Sequence, residues 1–342
     1  MKILVGISGG VDSAFATKKL LDLGHEVEGA VLVMHEHTEL SAAREAARSL
    51  GIKLHEIDCT VPFEAIKDNF VKEYTNGRTP NPCIICNERV KFKYLYDFAM
   101  ENGFDMIATG HYARVESDIY EGEKRYFLAF PEDMKKEQTY MLYRLPQNIL
   151  AKLVLPLSEG KKSDLRLVAK DAGISAAERD DSQEICFLPE GNYAEYIESK
   201  SGKCPEGDFV DEKGNILGRH KGIIHYTVGQ RKGLGISLGH RAFVTDIDPQ
   251  SGRITLSENS GGKTEIFINN MVYSGMIAPS VETTLDLDVK LRYTAPMVKT
   301  RATLYPDGRA KLSFDTPQKS APGQSAVMYL SGRVMCGGFI EK

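Results

Sequence analysis

Cys83 and Cys86 stand three residues apart in Gly77-Arg-Thr-Pro-Asn-Pro-Cys-Ile-Ile-Cys-Asn87. A Cys-x-x-Cys pair lets both sulfurs face one centre, which can be a metal, a cluster or each other. Two prolines and a glycine predict an irregular segment, the kind of backbone on which reactive side chains are held. A structural four-cysteine zinc site needs a second closing pair, and the other four cysteines (Cys59, Cys186, Cys204, Cys336) are isolated. Cys186 sits between Ile185 and Phe187, one hundred residues after Cys86. Taken alone, such a cysteine reads as a small buried apolar residue. Cys59, Cys204 and Cys336 read as structural or incidental.

A second chemistry is written at the start of the chain, Lys2-Ile-Leu-Val-Gly-Ile-Ser8-Gly9-Gly10-Val11-Asp12-Ser13. Ile3, Leu4, Val5 and Ile7 predict a buried parallel strand. Two glycines allow a tight turn, and Ala16, Leu20 and Leu23 share one face of the helix that follows. Backbone N–H groups at that helix start, its dipole and the hydroxyls of Ser8 and Ser13 form an anion cradle. No lysine follows the glycines, which excludes the Gly-x-x-x-x-Gly-Lys-Ser/Thr loop of ordinary ATPases. The pattern Ser-Gly-Gly-x-Asp-Ser resembles the PP-loop of ATP pyrophosphatases, enzymes that cleave ATP to AMP and pyrophosphate and use the adenylate to activate a carbonyl oxygen. Without a ligand the same residues make only a tight turn.

Alternating strands and helices are predicted to position these groups. A strand near 27–33 precedes a helix near 39–50 with Leu40, Ala43, Ala47 and Leu50 on one side. A strand near 53–57 precedes a helix carrying Phe63, Ile66, Phe70 and Tyr74. A further helix places Phe92, Leu95, Tyr96 and Ala99 together before a strand at 106–109, and another is predicted near 163–173. This alternation implies an α/β, doubly wound parallel sheet with ligands at the carboxyl ends of its strands, where Ser8–Ser13, the residues after Leu32, and Gly110-His111 would lie. From about residue 205 glycine becomes dense and short alternating segments dominate, including 242–247 and 253–256. Turns at Pro306-Asp-Gly308 and Ala321-Pro-Gly323 then punctuate several strands, predicting a small central β-rich domain and a C-terminal β-barrel. The expected boundaries are 1–200, 201–263 and 264–342.

The 342 residues, 42% hydrophobic and 26% charged, allow two or three globular domains. No apolar run approaches the roughly 20 residues that span a bilayer. The first strand is entered without a basic and apolar leader, so a cytoplasmic location is expected, or a targeting peptide already removed. Six cysteines in that setting point to thiol or metal chemistry rather than a disulfide scaffold. A net charge of −4 excludes a generally basic nucleic-acid coat but leaves room for a local basic face. Arg219, Lys221, Arg231 and Lys232, set among glycines, suit close approach to RNA phosphates, although such segments are also ordinary solvated turns.

Nine motifs in order give the whole chain a resemblance to the bacterial tRNA-specific 2-thiouridylases, the MnmA family: Ser8–Ser13; Gly77-Arg-Thr-Pro-Asn-Pro82; Cys86-Asn87; Ala108-Thr-Gly-His-Tyr112; Gln138 to Leu142; Asp181-Ser-Gln-Glu-Ile-Cys-Phe187; Tyr226-Thr-Val-Gly-Gln-Arg-Lys-Gly-Leu-Gly235; Arg292-Tyr293; and Pro322-Gly-Gln-Ser-Ala326. The resemblance implies that ATP with Mg2+ adenylates O2 of the wobble uridine, position 34 of a tRNA. A persulfide sulfur then replaces that oxygen, giving 2-thiouridine, AMP and pyrophosphate. It implies that Cys186 carries the persulfide and that Cys86 is the partner nucleophile, leaving a Cys86–Cys186 disulfide to be reduced. ATP contacts carry over to Gly6, Ile7, Ser8, Gly9, Gly10, Val11, Asp12, Ser13, Leu32 and Gly110. Contacts to tRNA carry over to Asn81, Pro82, Cys83, His111, Lys136, Glu137, Gln138, Arg292, Tyr293 and Gln324. The implied partners are tRNAs for Lys, Glu and Gln and a sulfur donor such as a cysteine desulfurase, acting directly or by relay.

Two departures stand out. Many family members have Asp where this chain has Cys83, and Glu137 replaces a common Asp. With Cys83 present, Cys83, Cys86 and Cys186 make a possible [4Fe–4S] ligand set, the fourth iron open to hydrosulfide, as in related PP-loop thiolases. An amidating PP-loop ligase for a small molecule is the main alternative, and it needs no thiol pair. A non-enzymatic RNA-binding module with a degenerate nucleotide site is the other.

Overall fold

The computed structural model describes residues 1–120, 122–160, 185–188, 192–259 and 261–342. The helix predicted near 163–173 and residues 181–184 of the Cys186 motif lie outside the described residues.

The first region is a five-stranded parallel sheet. Its strands are β1 (Lys2–Gly6), β2 (Glu26–Val33), β3 (Leu54–Asp58), β4 (Met106–Ala108) and, after an intervening hairpin, Leu153–Val154. They lie in the order β3-β2-β1-β4 with Leu153–Val154 at the edge. Helices α1 (Val11–Asp22), α2 (Leu40–Ser49) and α3 (Thr60–Thr75) follow the first three strands. The strand pleat decides which helix covers which face. Ile3, Val5, Val27 and Val31 pack with Leu20, Ala43 and Ala46 of α1 and α2. Leu4, Ala30 and Leu32 point the other way, onto Phe63 and Phe70 of α3 and onto Leu95. A sheet buried on both faces accounts for the near-continuous apolar run of β1.

The stretch around Cys83 is helical, which corrects the irregular segment predicted there. Asn81 caps a short helix, α4 (Pro82–Cys86), its side-chain oxygen accepting from the Cys83 N–H at 3.2 Å. Pro82 stands at the first position, where its missing N–H costs nothing and its fixed φ favours the helix. Only residues 77–81 are irregular. A π-helical turn, Asn87–Lys91, then leads directly into α5 (Phe92–Glu101).

Two strands of the first region were not anticipated. β5 (Arg114–Tyr120) and β6 (Glu123–Ala129) form a hairpin that joins the C-terminal sheet through Ala129 and Arg333. Gln147 anchors it, bonding both the N–H and the C=O of Tyr126 and the Ser274 carbonyl. Helices α6 (Thr139–Leu142) and α7 (Gln147–Leu150) precede Leu153–Val154, which is β7, and α8 (Tyr193–Ser201) follows later.

The central region is a four-stranded sheet of β8 (Gly207–Val210), β9 (Ile216–His220), β10 (Phe243–Asp248) and β11 (Arg253–Ser257), ordered β10-β11-β8-β9. Beyond it β12 (Lys263–Val272), β13 (Thr283–Lys290), β14 (Val298–Leu304), β15 (Ala310–Gln318), β16 (Ser325–Leu330) and β17 (Arg333–Ile340) run antiparallel. Pairing of β12 with both β15 and β17 closes these six into the predicted barrel. Its interior is filled by Ile268, Val289, Leu304, Leu312 and Met328.

Candidate active site

The β1–α1 turn is shaped by contacts that only glycine permits. Gly9 has φ +81°, and a Cβ there would lie 2.5 Å from the Ala42 Cβ. A Cβ on Gly110 would sit 2.7 Å from the Asp12 carbonyl carbon, so the end of β4 rests directly on the first turn of α1. Inside the turn the Ser13 hydroxyl donates to the Gly10 carbonyl at 2.9 Å, and the Gly10 N–H reaches Ser8 Oγ at 3.3 Å. Buried Tyr112 donates to Asp12 Oδ1 at 2.8 Å. Gln138 in turn bonds the Tyr112 backbone through both its side-chain oxygen and its own N–H. Ser8–Ser13, Leu32 and Gly110 therefore all lie at the carboxyl ends of adjacent strands, and Gly6 and Ile7 lead into the turn.

The thiols gather beside that edge. Met34, just beyond β2, places its sulfur 3.8 Å from Cys86 Sγ. Cys86 is buried at the end of α4, and Cys83 is half-buried one turn earlier. Cys186 is exposed, contrary to its reading as a core residue, because Phe187 takes the buried place instead. The Phe187 ring meets Phe63, Phe70 and Tyr196 with centroids 5.4–5.7 Å apart. A turn closed by the Leu188 N–H on the Ile185 carbonyl leaves the Cys186 sulfur outward. The three thiols lie close enough to act on one another's ionisation: Cys186 and Cys83 raise Cys86, and Cys83 raises Cys186. Desolvation by the surrounding protein is the larger cause, pushing buried Cys86 up to about 11 and raising Cys83 and, although its own surface is open to solvent, Cys186.

His111 adjoins this cluster, its Nδ1 paired with Thr109 Oγ1 at 2.9 Å and its ring 5.4 Å from that of Phe92. Burial, with the nearby Lys91 charge second, drives its pKa down to about 3. It is a neutral imidazole at pH 7 and adds no positive charge.

Residues 77–82 form a junction of all three regions. The Thr79 N–H bonds the Pro322 carbonyl at 2.8 Å, and Gln324 Nε2 donates to the Thr79 carbonyl at 2.6 Å. Gly77 packs on Ile247 of β10. Asn81 reaches the Met141 sulfur at 3.5 Å, and Asn87 holds the Met141 carbonyl at 3.0 Å. Glu137 is buried and engaged inside the protein: Lys290 of β13 bonds Oε2 at 2.7 Å, Thr139 donates to Oε1, and the Tyr293 hydroxyl bonds the Glu137 carbonyl at 3.2 Å. Arg292 beside it is exposed. Arg231, with Gly233–Leu238 and His240–Ala242, lines an open cavity of about 530 Å³ in the central region, whereas Arg219 is paired with Asp208 at 3.0 Å. Lys91 was not singled out from the sequence; its signal there was only its place five residues after Cys86.

Among the described residues no group of three His, Cys, Asp or Glu side chains is arranged to hold a metal ion. As placed, the three thiols do not fit a cluster. The cradle suits a nucleotide's phosphates through the backbone N–H groups at the start of α1, and its shape is fixed by Ala42 packing directly against Gly9 and Asp12 against Gly110.

A doubly wound sheet with a Ser-Gly-Gly cradle at its carboxyl edge and a thiol cluster beside it defines a PP-loop nucleotide-binding enzyme. Three family models match in succession: a tRNA methyl transferase HUP domain over residues 1–190, a tRNA methyl transferase PRC-barrel domain over 194–258 and an aminomethyltransferase β-barrel domain over 263–340. A tRNA-specific 2-thiouridylase MnmA of Treponema denticola is 39% identical across 100% of this chain and 98% of its own length. Relatives of the same description from Lachnoclostridium phytofermentans and Acetivibrio thermocellus are 41% and 40% identical, covering 100% and 99% of this chain and 99% of each relative. The chain belongs to the tRNA-specific 2-thiouridylase (MnmA) family. No helix among the described residues is long and apolar enough to cross a membrane.

Proposed function

We infer that this protein carries its family's activity, the ATP-dependent 2-thiolation of a tRNA uridine, as a tRNA-uridine 2-sulfurtransferase. The observation that carries the reading is the gathering of Cys83, Cys86 and Cys186 beside the Ser8–Ser13 cradle. A small-molecule amidating ligase has no use for that cluster.

The target is the wobble uridine of tRNAs for Lys, Glu and Gln. Backbone N–H groups of residues 9–13, with Ser8 and Ser13, hold the ATP phosphates, and Leu32 and Gly110 bound the nucleotide. Asp12 is the loop's carboxylate and would help hold Mg2+ on those phosphates, where the metal would offset charge on the departing pyrophosphate. Uridine O2 attacks the α-phosphorus; the O2–phosphorus bond forms as the α–β anhydride breaks. A sulfur donor, such as a cysteine desulfurase acting directly or by relay, has loaded Cys186 as a persulfide. Its terminal sulfur attacks C2, and AMP departs with the O2 oxygen. The Cys86 thiolate then attacks the Cys186 sulfur. The persulfide S–S bond breaks, its electron pair stays on the sulfur bonded to C2, and 2-thiouridine leaves behind a Cys86–Cys186 disulfide that an external thiol reduces. Asn81, Pro82, Cys83, His111, Lys136, Glu137, Gln138, Arg292, Tyr293 and Gln324 form the surface and supports that place the tRNA, and the domain boundaries 1–200, 201–263 and 264–342 assign these contacts to the first and last domains. The compartment is the cytoplasm.

The test incubates the protein with ATP-Mg, a desulfurase with cysteine, and unmodified tRNA, and reads 2-thiouridine by mercury-gel retardation. A retarded product is expected; none with a competent donor and folded tRNA overturns the reading. Cys83→Asp decides the sulfur carrier. The persulfide route tolerates it, whereas an enzyme using a [4Fe–4S] cluster on Cys83, Cys86 and Cys186 loses iron and activity together.

A further inference from the structure

The π-turn Asn87–Lys91 begins directly after Cys86. In an α-helix the residue five positions on stands about 140° around the axis. The wider i→i+5 turn rotates it back toward the starting face, and such turns recur at functional sites. Lys91 occupies that position, half-buried. The neighbouring charges are directed elsewhere. Glu88 is held by Arg144 at 2.8 Å, Arg89 is exposed at 3.9 Å from the same carboxylate, and Lys93 pairs with Asp97 at 2.5 Å. Lys91 makes no salt bridge among the described residues.

We propose that Lys91 is a positioning residue for the sulfur chemistry, its ammonium supplying the positive charge against which a sulfur anion forms at Cys86 and Cys186. The placement is selective. Lys91 acts on Cys83, Cys86 and Cys186, and its backbone amide also favours the Cys86 thiolate. Cys59 and Cys336, both fully buried, have no such cation among the described residues and are pushed up to about 12. His111, which also adjoins the cluster, is neutral and cannot substitute. A cation beside these thiols, without an ion-paired carboxylate among the described residues, favours whichever sulfur is anionic, so it serves the loaded Cys186 and the attacking Cys86 in turn.

The inference takes its purpose from the sulfur-transfer reading, but its test needs neither ATP nor tRNA, so the two fail separately. Cys86 in the full chain is alkylated at one fixed pH with neutral iodoacetamide and with anionic iodoacetate, and its peptide is quantified by mass spectrometry. Lys91→Met and Lys91→Gln are expected to lower the iodoacetate-to-iodoacetamide rate ratio about fivefold, the scale of one nearby charge. Lys91→Arg and the exposed control Arg89→Met keep it. An unchanged ratio in a neutral variant with wild-type circular dichroism overturns the proposal. Failure of both neutral variants to fold, where Lys91→Arg folds, also overturns it, in favour of a purely structural lysine.

Discussion

The phosphate cradle and the thiol cluster occupy neighbouring strand ends and are built on opposite principles. The cradle is made of backbone N–H groups that are donors at every pH, and its requirement is space: no Cβ at Gly9 or Gly110. The cluster is made of side chains whose reactive form is ionised, in a place where burial opposes ionisation. One region is set by shape and the other by charge, so each should fail in its own way.

The largest expected effect is at the cluster. Cys186→Ser removes the thiol that carries the transferable sulfur as a persulfide and should abolish thiolation altogether, with tRNA affinity measured by filter binding within about twofold of wild type. Substantial residual thiolation would place the transferable sulfur elsewhere. The cradle answers to volume instead. Gly110→Ala puts a methyl group 2.7 Å from the Asp12 carbonyl carbon. The first turn of α1 must move, and a displacement on the ångström scale costs about 100-fold in rate. The check is adenylation, read as tRNA-dependent pyrophosphate release; release at wild-type rate would show that β4 does not brace the loop. Cys186→Ser should leave the same adenylation step largely unaffected, and this pair of results separates the regions.

The difference also explains what was legible in the sequence. A cradle built from contiguous residues announces itself: strand, Ser-Gly-Gly and helix appear in one line, and Gly110 falls where alternation puts a strand end. The Cys-x-x-Cys spacing was equally plain. Its backbone was misread because Pro82 looked like a breaker, whereas Asn81 before it makes Pro82 a helix start. Lys91 was hidden by the π-turn, since a period of 3.6 places it away from Cys86 and a run such as Glu88-Arg-Val-Lys91 reads as a solvated face. The hairpin β5–β6 was hidden for another reason. Its partner strand is β17, some two hundred residues further on, and its anchor is a single glutamine, Gln147. Glu137 likewise looks like an exposed charge until Lys290 is brought to it by the barrel.

The smallest expected effect concerns the imidazole at the edge of the cluster. An unfolded histidine takes up a proton near pH 6.5. In the folded protein His111 waits until about 3, chiefly because it is buried and secondly because Lys91 is near. Between those values the unfolded chain holds the extra proton, so stability rises with pH through this window, is complete above about 6.5, and is lost as pH falls toward 3. One such group contributes a slope of at most about 1.4 kcal/mol per pH unit. His35, His220 and His225 are also lowered, each chiefly by burial, and slope the same way. His111→Gln should therefore flatten the dependence of Tm on pH between 4.5 and 6.5 without removing it. An unaltered slope would mean that His111 is protonated in the native protein, putting a second cation beside the thiols. In that case the charge of the cluster would no longer rest on Lys91, and the contrast with a cradle indifferent to pH would have to be drawn through both residues.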